Sequence, residues 1–225
     1  YTLTSAEVGK QVRGVVSYLD GYGTTEVVNS SASTTVANNL TVRGNSLYTI
    51  VDGPSWTQAE ANSVKLGGHL VTVNERGEED LLYKSFGQDL PIYQSTSLPA
   101  KGLWIGLNDT QAEGVYKWVS GDSSTWFEST YKGKRGWIPN ADSSAQDYMI
   151  MRRNALDPAG YDWDDYWHTT GSWSGVAVDN GIAETPFIRR GDSAYVIVQG
   201  PTWEEAEANA VKLGGHLVTI NDATE

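Results

Sequence analysis

The feature that most constrains this chain is an internal repeat. Ser46–Glu78 matches Ser193–Glu225 at a constant offset of 147 residues, with 22 identities in 33 positions and no gap. Both copies contain Gly-Pro-[Ser/Thr]-Trp, Ala-Glu-Ala-Asn and Val-Lys-Leu-Gly-Gly-His-Leu-Val-Thr. A self-match this dense marks one structural unit used more than once. The unit is therefore about 147 residues long, and the second copy is present for only about its first quarter. The chain divides accordingly into residues 1–40, a complete unit over 41–190, and the truncated start of a second unit over 191–225. The truncated copy exposes an apolar strand and helix. It is expected either to be covered by a neighbouring molecule or to be weakly ordered.

The first forty residues are a different material, rich in Val, Thr, Ser and Gly. Val12 to Tyr18 alternates as a strand, Asp20-Gly21-Tyr22-Gly23 reads as a hairpin turn, and Thr24 to Val28 returns. Ser30 to Asn39 reads as a linker. Inside the unit, Leu47 to Val51 is a short strand. Ser55-Trp56-Thr57-Gln58 has the spacing of a capping box, repeated at Thr202-Trp203-Glu204-Glu205, and predicts a helix running to Leu66. Gly67 or Gly68 supplies the left-handed residue that ends it. His69 to Val73 reads as a second strand, and Glu75 to Phe86 as a second helix with acids at its positive end. Leu103 to Leu107 reads as a buried strand, and Tyr116 to Val119 as an alternating one. Residues 128–180 read as one long loop region, too aromatic for disorder.

Composition narrows the function. A net charge of -12 repels phosphate backbones and argues against nucleic-acid binding. The chain has no cysteine, so neither disulfides nor thiolate zinc sites hold it together. No apolar run is long enough for a transmembrane helix. Nine Trp and twelve Tyr stand against three Phe. That bias suits either a gripping surface or a Trp-rich core.

The order strand, helix, Gly67-Gly68-His69-Leu70-Val71-Thr72, second helix, Trp104-Ile105-Gly106-Leu107 resembles the C-type lectin-like domain. Trp56-x-x-Ala59, Trp137-x-Pro139-Asn140, Gln146-Asp147-Tyr148 and Trp163-Asp164-Asp165 extend the resemblance from about Leu47 to Arg189. It implies an α+β fold with two helices, small antiparallel sheets and a long loop region. It also implies a closing strand at Pro186-Phe187-Ile188-Arg189, pairing beside the first. The family's cysteines are missing: Ser63, Ala210 and Tyr148 occupy such positions. Residues 1–38 resemble part of an immunoglobulin-like stalk repeat. Together the two imply a secreted or cell-surface, modular bacterial adhesin with lectin-like domains in tandem.

Sugar-binding members of the family hold one Ca2+ whose shell the sugar's hydroxyls complete, and calcium wants six to eight oxygen ligands. The resemblance carries that site onto Asn140, Gln146, Asp164 and Asp165, with Asp147 as a further ligand, while Ile138 replaces a carboxylate. Asp162, Asp164 and Asp165 crowd together, which is costly without a cation or hydrogen-bond donors nearby. Tyr161, Trp163, Tyr166, Trp167 and Trp173 form an aromatic cluster. Trp163 is assigned to the core, while Trp167 and Trp173 are candidates to stack on a sugar beside Asn140 and Asp164. His69 and His216 read as core histidines. The chain lacks Gly-x-Ser-x-Gly, His-Glu-x-x-His and a phosphate loop, so it reads as a binder and not an enzyme. The expected partner is a glycan or cell-surface polysaccharide. The alternative is a calcium-independent domain for protein contacts, structural spacing or ice binding.

Overall fold

The computed structural model describes residues 13–19, 21–30, 40–92, 102–130, 146–154, 160–166 and 178–220, with the side chains of 165 and 166 excepted. The chain separates into two compact units, Tyr1–Asn38 and Asn39–Glu225. The first contains a hairpin of β1 (Val15–Leu19) and β2 (Thr25–Asn29), antiparallel with Val16 opposite Val28. The expected hairpin is present, and Gly23 at φ 80° supplies the left-handed turn residue.

The second unit begins with β3 (Leu40–Arg43) and β4 (Ser46–Asp52), followed by helix α1 (Trp56–Lys65). The Ser55 hydroxyl caps α1 by accepting from Gln58 N–H at 3.3 Å, as its spacing predicts. Gly67, at φ 85°, ends the helix, and Gly68 N–H reaches back to Ser63 O. The expected strand after it is short: only His69–Leu70 pair, as β5. Helix α2 (Arg76–Leu82) continues as a π-helical turn over Tyr83–Gly87. Strand β6 (Gly102–Asn108) and β7 (Lys117–Trp118) follow, then a short α3 (Thr125–Thr130).

The region read as one long loop holds two more strands, β8 (Tyr148–Arg153) and β9 (Tyr161–Tyr166), and β10 (Asn180–Pro186) starts at its end. Gly and Asp hide their alternation from a reading by hydrophobic period. Strands order as β3-β4-β10-β6-β8-β9, with β5 added to β10 and β7 to β6. Pairings are antiparallel except β10 with β6, which is parallel. The expected antiparallel sheets are thus joined by one parallel contact.

β6 is buried on both faces, which explains its unbroken apolar sequence. Leu103, Ile105 and Leu107 enter one core cluster with Trp118, Phe127, Met149 and Trp163. Trp104 enters the other, with Trp56, Ala59, Leu70 and Ile150. Two indoles lock the layers together: Trp56 Nε1–H donates to Ile105 O at 2.8 Å, and Trp104 Nε1–H to Gly53 O at 3.0 Å. The positions read as lost cysteines are filled by other means. The buried Ser63 hydroxyl donates to Ala59 O at 2.9 Å, and the Tyr148 ring lies 4.8 Å from that of Trp56.

The closing strand is corrected by the pairing. Asn180–Pro186, not 186–189, runs beside β4, with Ile182 opposite Ile50. Ile188–Arg190 instead forms β11, which pairs with β12 (Ser193–Tyr195) and leads to α4 (Trp203–Lys212). β11 and β12 repeat β3 and β4 at the same offset. Only buried Phe187 separates the end of one copy from the start of the next, and its N–H donates to Asn45 O. In the first copy Trp56 is 7% exposed, whereas its equivalent Trp203 is 68% exposed.

Candidate functional site

The sheet register explains how the crowded acids are accommodated. Arg152 of β8 stands opposite Asp162 of β9, and Asp164 lies two residues along the same face. Arg152 Nε donates to Asp162 Oδ1 at 2.7 Å and Arg152 Nη2 to Asp162 Oδ2 at 3.2 Å, while Nη1 pairs with Asp164. Asn154 adds a donor to Asp162 at 2.6 Å. The arginine fork thus supplies the compensation that the sequence demanded of a cation or donors. Asp165 faces Met149 in the ladder. Asn140, Trp167 and Trp173 lie outside the described residues. Two aromatics of the cluster are internal. Trp163 is 1% exposed and Tyr161 2% exposed, stacked on Tyr83 with its hydroxyl on Asp80.

Gln146 and Asp147 lie half-buried just before β8. Asp147 O accepts from Asp109 N–H at 3.0 Å, which ties the start of β8 to the end of β6. Asp109 is 2% exposed: its Oδ2 accepts from Gly114 N–H at 2.8 Å, and its Oδ1 has no hydrogen-bond partner among the described residues. Glu113 lies close by. Its carboxyl is raised above the ordinary carboxylate value, first by partial loss of water and then by repulsion from Asp109 and Asp147. A buried carboxylate oxygen without a donor, with like charges around it, fits a hard cation. As placed, no three acidic or histidine side chains converge into a ligating group among the described residues. The sequence reading took Asp147 and missed Asp109 and Glu113. The available signal was Asn108-Asp109-x-x-x-Glu113-Gly114, directly after Trp-Ile-Gly-Leu.

His69 and His216 are not core residues. His69 is exposed, and its Nδ1 meets Glu60 Oε1 at 2.6 Å, while Glu60 Oε2 accepts from Leu70 N–H at 2.8 Å. His216 and Leu217 repeat this on Glu207 at 2.6 and 2.9 Å. Asn62 and Asn209 each donate to the segment before their helix, at Asp52 O and Gln199 O. The repeated Ala-Glu-Ala-Asn and Gly-Gly-His therefore form a structural clasp. The two-residue strand β5 leaves the imidazole outside, where the helix carboxylate holds it.

Residues 52–158 match the family model described as the lectin C-type domain. The chain is similar to halomucin of Haloquadratum walsbyi, 27% identical over 75% of this chain and 2% of that protein. It is also similar to mouse C-type lectin domain family 6 member A, 23% identical over 54% of this chain and 50% of that protein. The chain thus spans at most about half the length of these curated relatives. Among solved structures it is similar to the cow C-type carbohydrate-recognition domain of CD23. That match has 20% identity, a TM-score of 0.46, and covers 69% of this chain and 98% of that one. Among the described residues no helix is long and apolar enough to cross a membrane. The match over residues 52–158 and the observed topology agree on a C-type lectin-like α+β fold for this part of the chain.

Proposed function

We propose that the complete unit is a carbohydrate-binding module of an extracellular, modular adhesin, and that a calcium ion assists it. The supporting observation is the buried Oδ1 of Asp109, without a hydrogen-bond partner among the described residues and in a like-charged group with Glu113 and Asp147, in a region matched by a lectin family model. Asp109, Glu113 and Asp147 would hold the ion, with amide oxygens of Gln146 and Asn140 as neutral ligands. The cation would offset their mutual repulsion and fix the loops that meet a sugar. Asp164 and Asp165 complete the proposed set, although Asp164 reaches a cation only by exchanging its Arg152 partner. Trp167 and Trp173 are the proposed stacking surface for a glycan. The hairpin of residues 15–29 is proposed as part of an immunoglobulin-like stalk.

Calcium titration by calorimetry tests this, with melts in calcium and in chelator and glycan arrays under both conditions. The expected result is a calcium-dependent rise in melting temperature that is lost in Asp109→Asn and reduced in Asp165→Ala. Chelator should abolish glycan binding. The Arg152–Asp164 pair favours a second reading, a calcium-independent domain for protein contacts, spacing or ice binding. No heat and no shift with calcium would select it.

A further inference from the structure

A strand end of the second copy rests on a helix end of the first. In the first copy Gly53 N–H donates to Asp179 O, so the alternation of an antiparallel ladder turns the N–H of Asp52 away from β10. On that side the register of β3 stops at Leu40, opposite Thr49. Among the described residues the edge from Ile50 to Asp52 therefore carries no further strand. The second copy repeats this, because β11 and β12 stop pairing at Ile188 opposite Tyr195. By the 147-residue offset, Ile197 to Gln199 is the same open edge. Such an edge presents backbone groups that need partners.

The end of α1 has the complementary need. Leu66 and Gly68 N–H satisfy Ser63 O, and Gly67 N–H satisfies Val64 O. The carbonyl of Lys65 accepts from the second copy, from Gln199 N–H at 2.8 Å. Beside it the Ile197 carbonyl lies over Gly67, where a Cβ would stand 2.0 Å from the oxygen and 3.3 Å from Val196 Cγ1. Leu213 packs against the core cluster that contains Leu66 and Val51.

The two copies contribute different patches. α4 ends as α1 does, with Leu213 and Gly215 N–H on Ala210 O and Gly214 N–H on Val211 O. Among the described residues, however, no bond joins Asp52 N–H to Lys212 O. At Gly214 the atom nearest a Cβ is Leu40 Cδ2 at 3.5 Å, not a strand carbonyl. One glycine of the repeated pair is thus crowded by the other copy's backbone, and its twin is not. A contact between two different patches is heterologous.

We propose that the C-terminal turn of α1 is a docking site for the next copy of the domain, met head to tail through the open end of that copy's strand equivalent to β4. The Lys65 carbonyl is the acceptor, Gly67 leaves room for the strand backbone, and Leu213 adds the apolar contact. Only Phe187 separates β10 from β11, so this joint sets the orientation of consecutive domains in place of the free swing that a flexible linker allows.

The chain has no native cysteine, so an introduced pair reports alone. Lys65→Cys with Gln199→Cys is placed in the full 225-residue chain and treated with a short bismaleimide at high dilution. The pair should cross-link within one molecule, and each single variant measures the background. A yield no higher than that background overturns the proposal. Gly67→Ala and Gly214→Ala are then added to the pair in turn. Both glycines have positive φ, 85° and 78°, so alanine strains each backbone alike. Gly67→Ala should remove most of the cross-link, and Gly214→Ala should keep it. Equal yields in these two variants overturn the docking. Hydrogen exchange at Gln199 in the unaltered chain gives a reading that does not depend on a variant folding. Like that of Asp52, this N–H lies on the open edge, so Lys65 is the acceptor that protects it. It should exchange slower than an open amide by about tenfold or more, and exchange at the open rate overturns the proposal.

Discussion

At the scale of single residues, the repeat conserves hydrogen bonds more than surface chemistry. Glu60 serves His69 and the Leu70 amide together, and its loss leaves that amide and the imidazole without their acceptor. Glu60→Ala should cost about 1–3 kcal/mol by urea unfolding. Glu184 is a different case. Burial is the main cause of its raised value, with Glu78 adding repulsion, while Thr72 N–H and the Tyr48 hydroxyl offset part of it. A carboxyl raised in the folded state binds its proton more tightly there than in the unfolded chain. Stability from this group therefore falls as pH rises from the ordinary carboxylate range through the raised value, then levels off. Urea midpoints measured across that range should show the slope, and Glu184→Gln should flatten it. Such residues were only partly legible beforehand. Ala-Glu-Ala-Asn stood out as repeated, but its partners lie nine or ten residues away across a turn, beyond what periodicity reports. Asp109 was passed over because the family resemblance directed attention to the Trp163-Asp164-Asp165 end.

At the scale of elements, legibility followed chemical punctuation. Ser55, Thr202 and the paired glycines announced both long helices, and the apolar run at Leu103 announced β6. β8 and β9 were missed, and the closing strand was expected at 186–189 where β10 spans Asn180–Pro186. β9 carries three Asp around Trp163, two of them in a row, and β10 starts at Asn-Gly, so neither shows a clean period of two. Their places in the sheet come from tertiary partners: Arg152 for β9, and β4 with β6 for β10. The glycines of these strands have packing reasons. A Cβ at Gly181 would stand 2.6 Å from Leu70 Cδ2 and 3.0 Å from Ala59 Cβ. Gly181→Ala should therefore destabilise the domain by about 1–3 kcal/mol through overpacking between β10 and α1. Trp104→Ala should cost about 3–5 kcal/mol, since it empties the centre of one core cluster and frees Gly53 O. Chemical denaturation of each variant checks both.

At the scale of the whole molecule, the hairpin of residues 15–29 and the lectin-like unit should differ sharply in local stability. Every residue of β1 and β2 is exposed, and two strands without a packed face are marginal in water. Hydrogen exchange should find those amides nearly unprotected while β4, β6 and β10 hold theirs to the global limit. The direct passage of β10 through Phe187 into β11 bears on how such a chain answers tension. The path enters the domain at Leu40 in β3 and leaves at Pro186 in β10, and these two strands run the same way on either side of β4. A pull between the two ends drags β3 and β10 in opposite directions along β4. The ladder bonds, which lie across the strands, are then loaded together and not peeled one at a time. Single-molecule stretching of tandem copies should therefore show a high rupture force for each lectin-like domain. A chain under load would then yield in its hairpin before the sheet of β3, β4 and β10 opened.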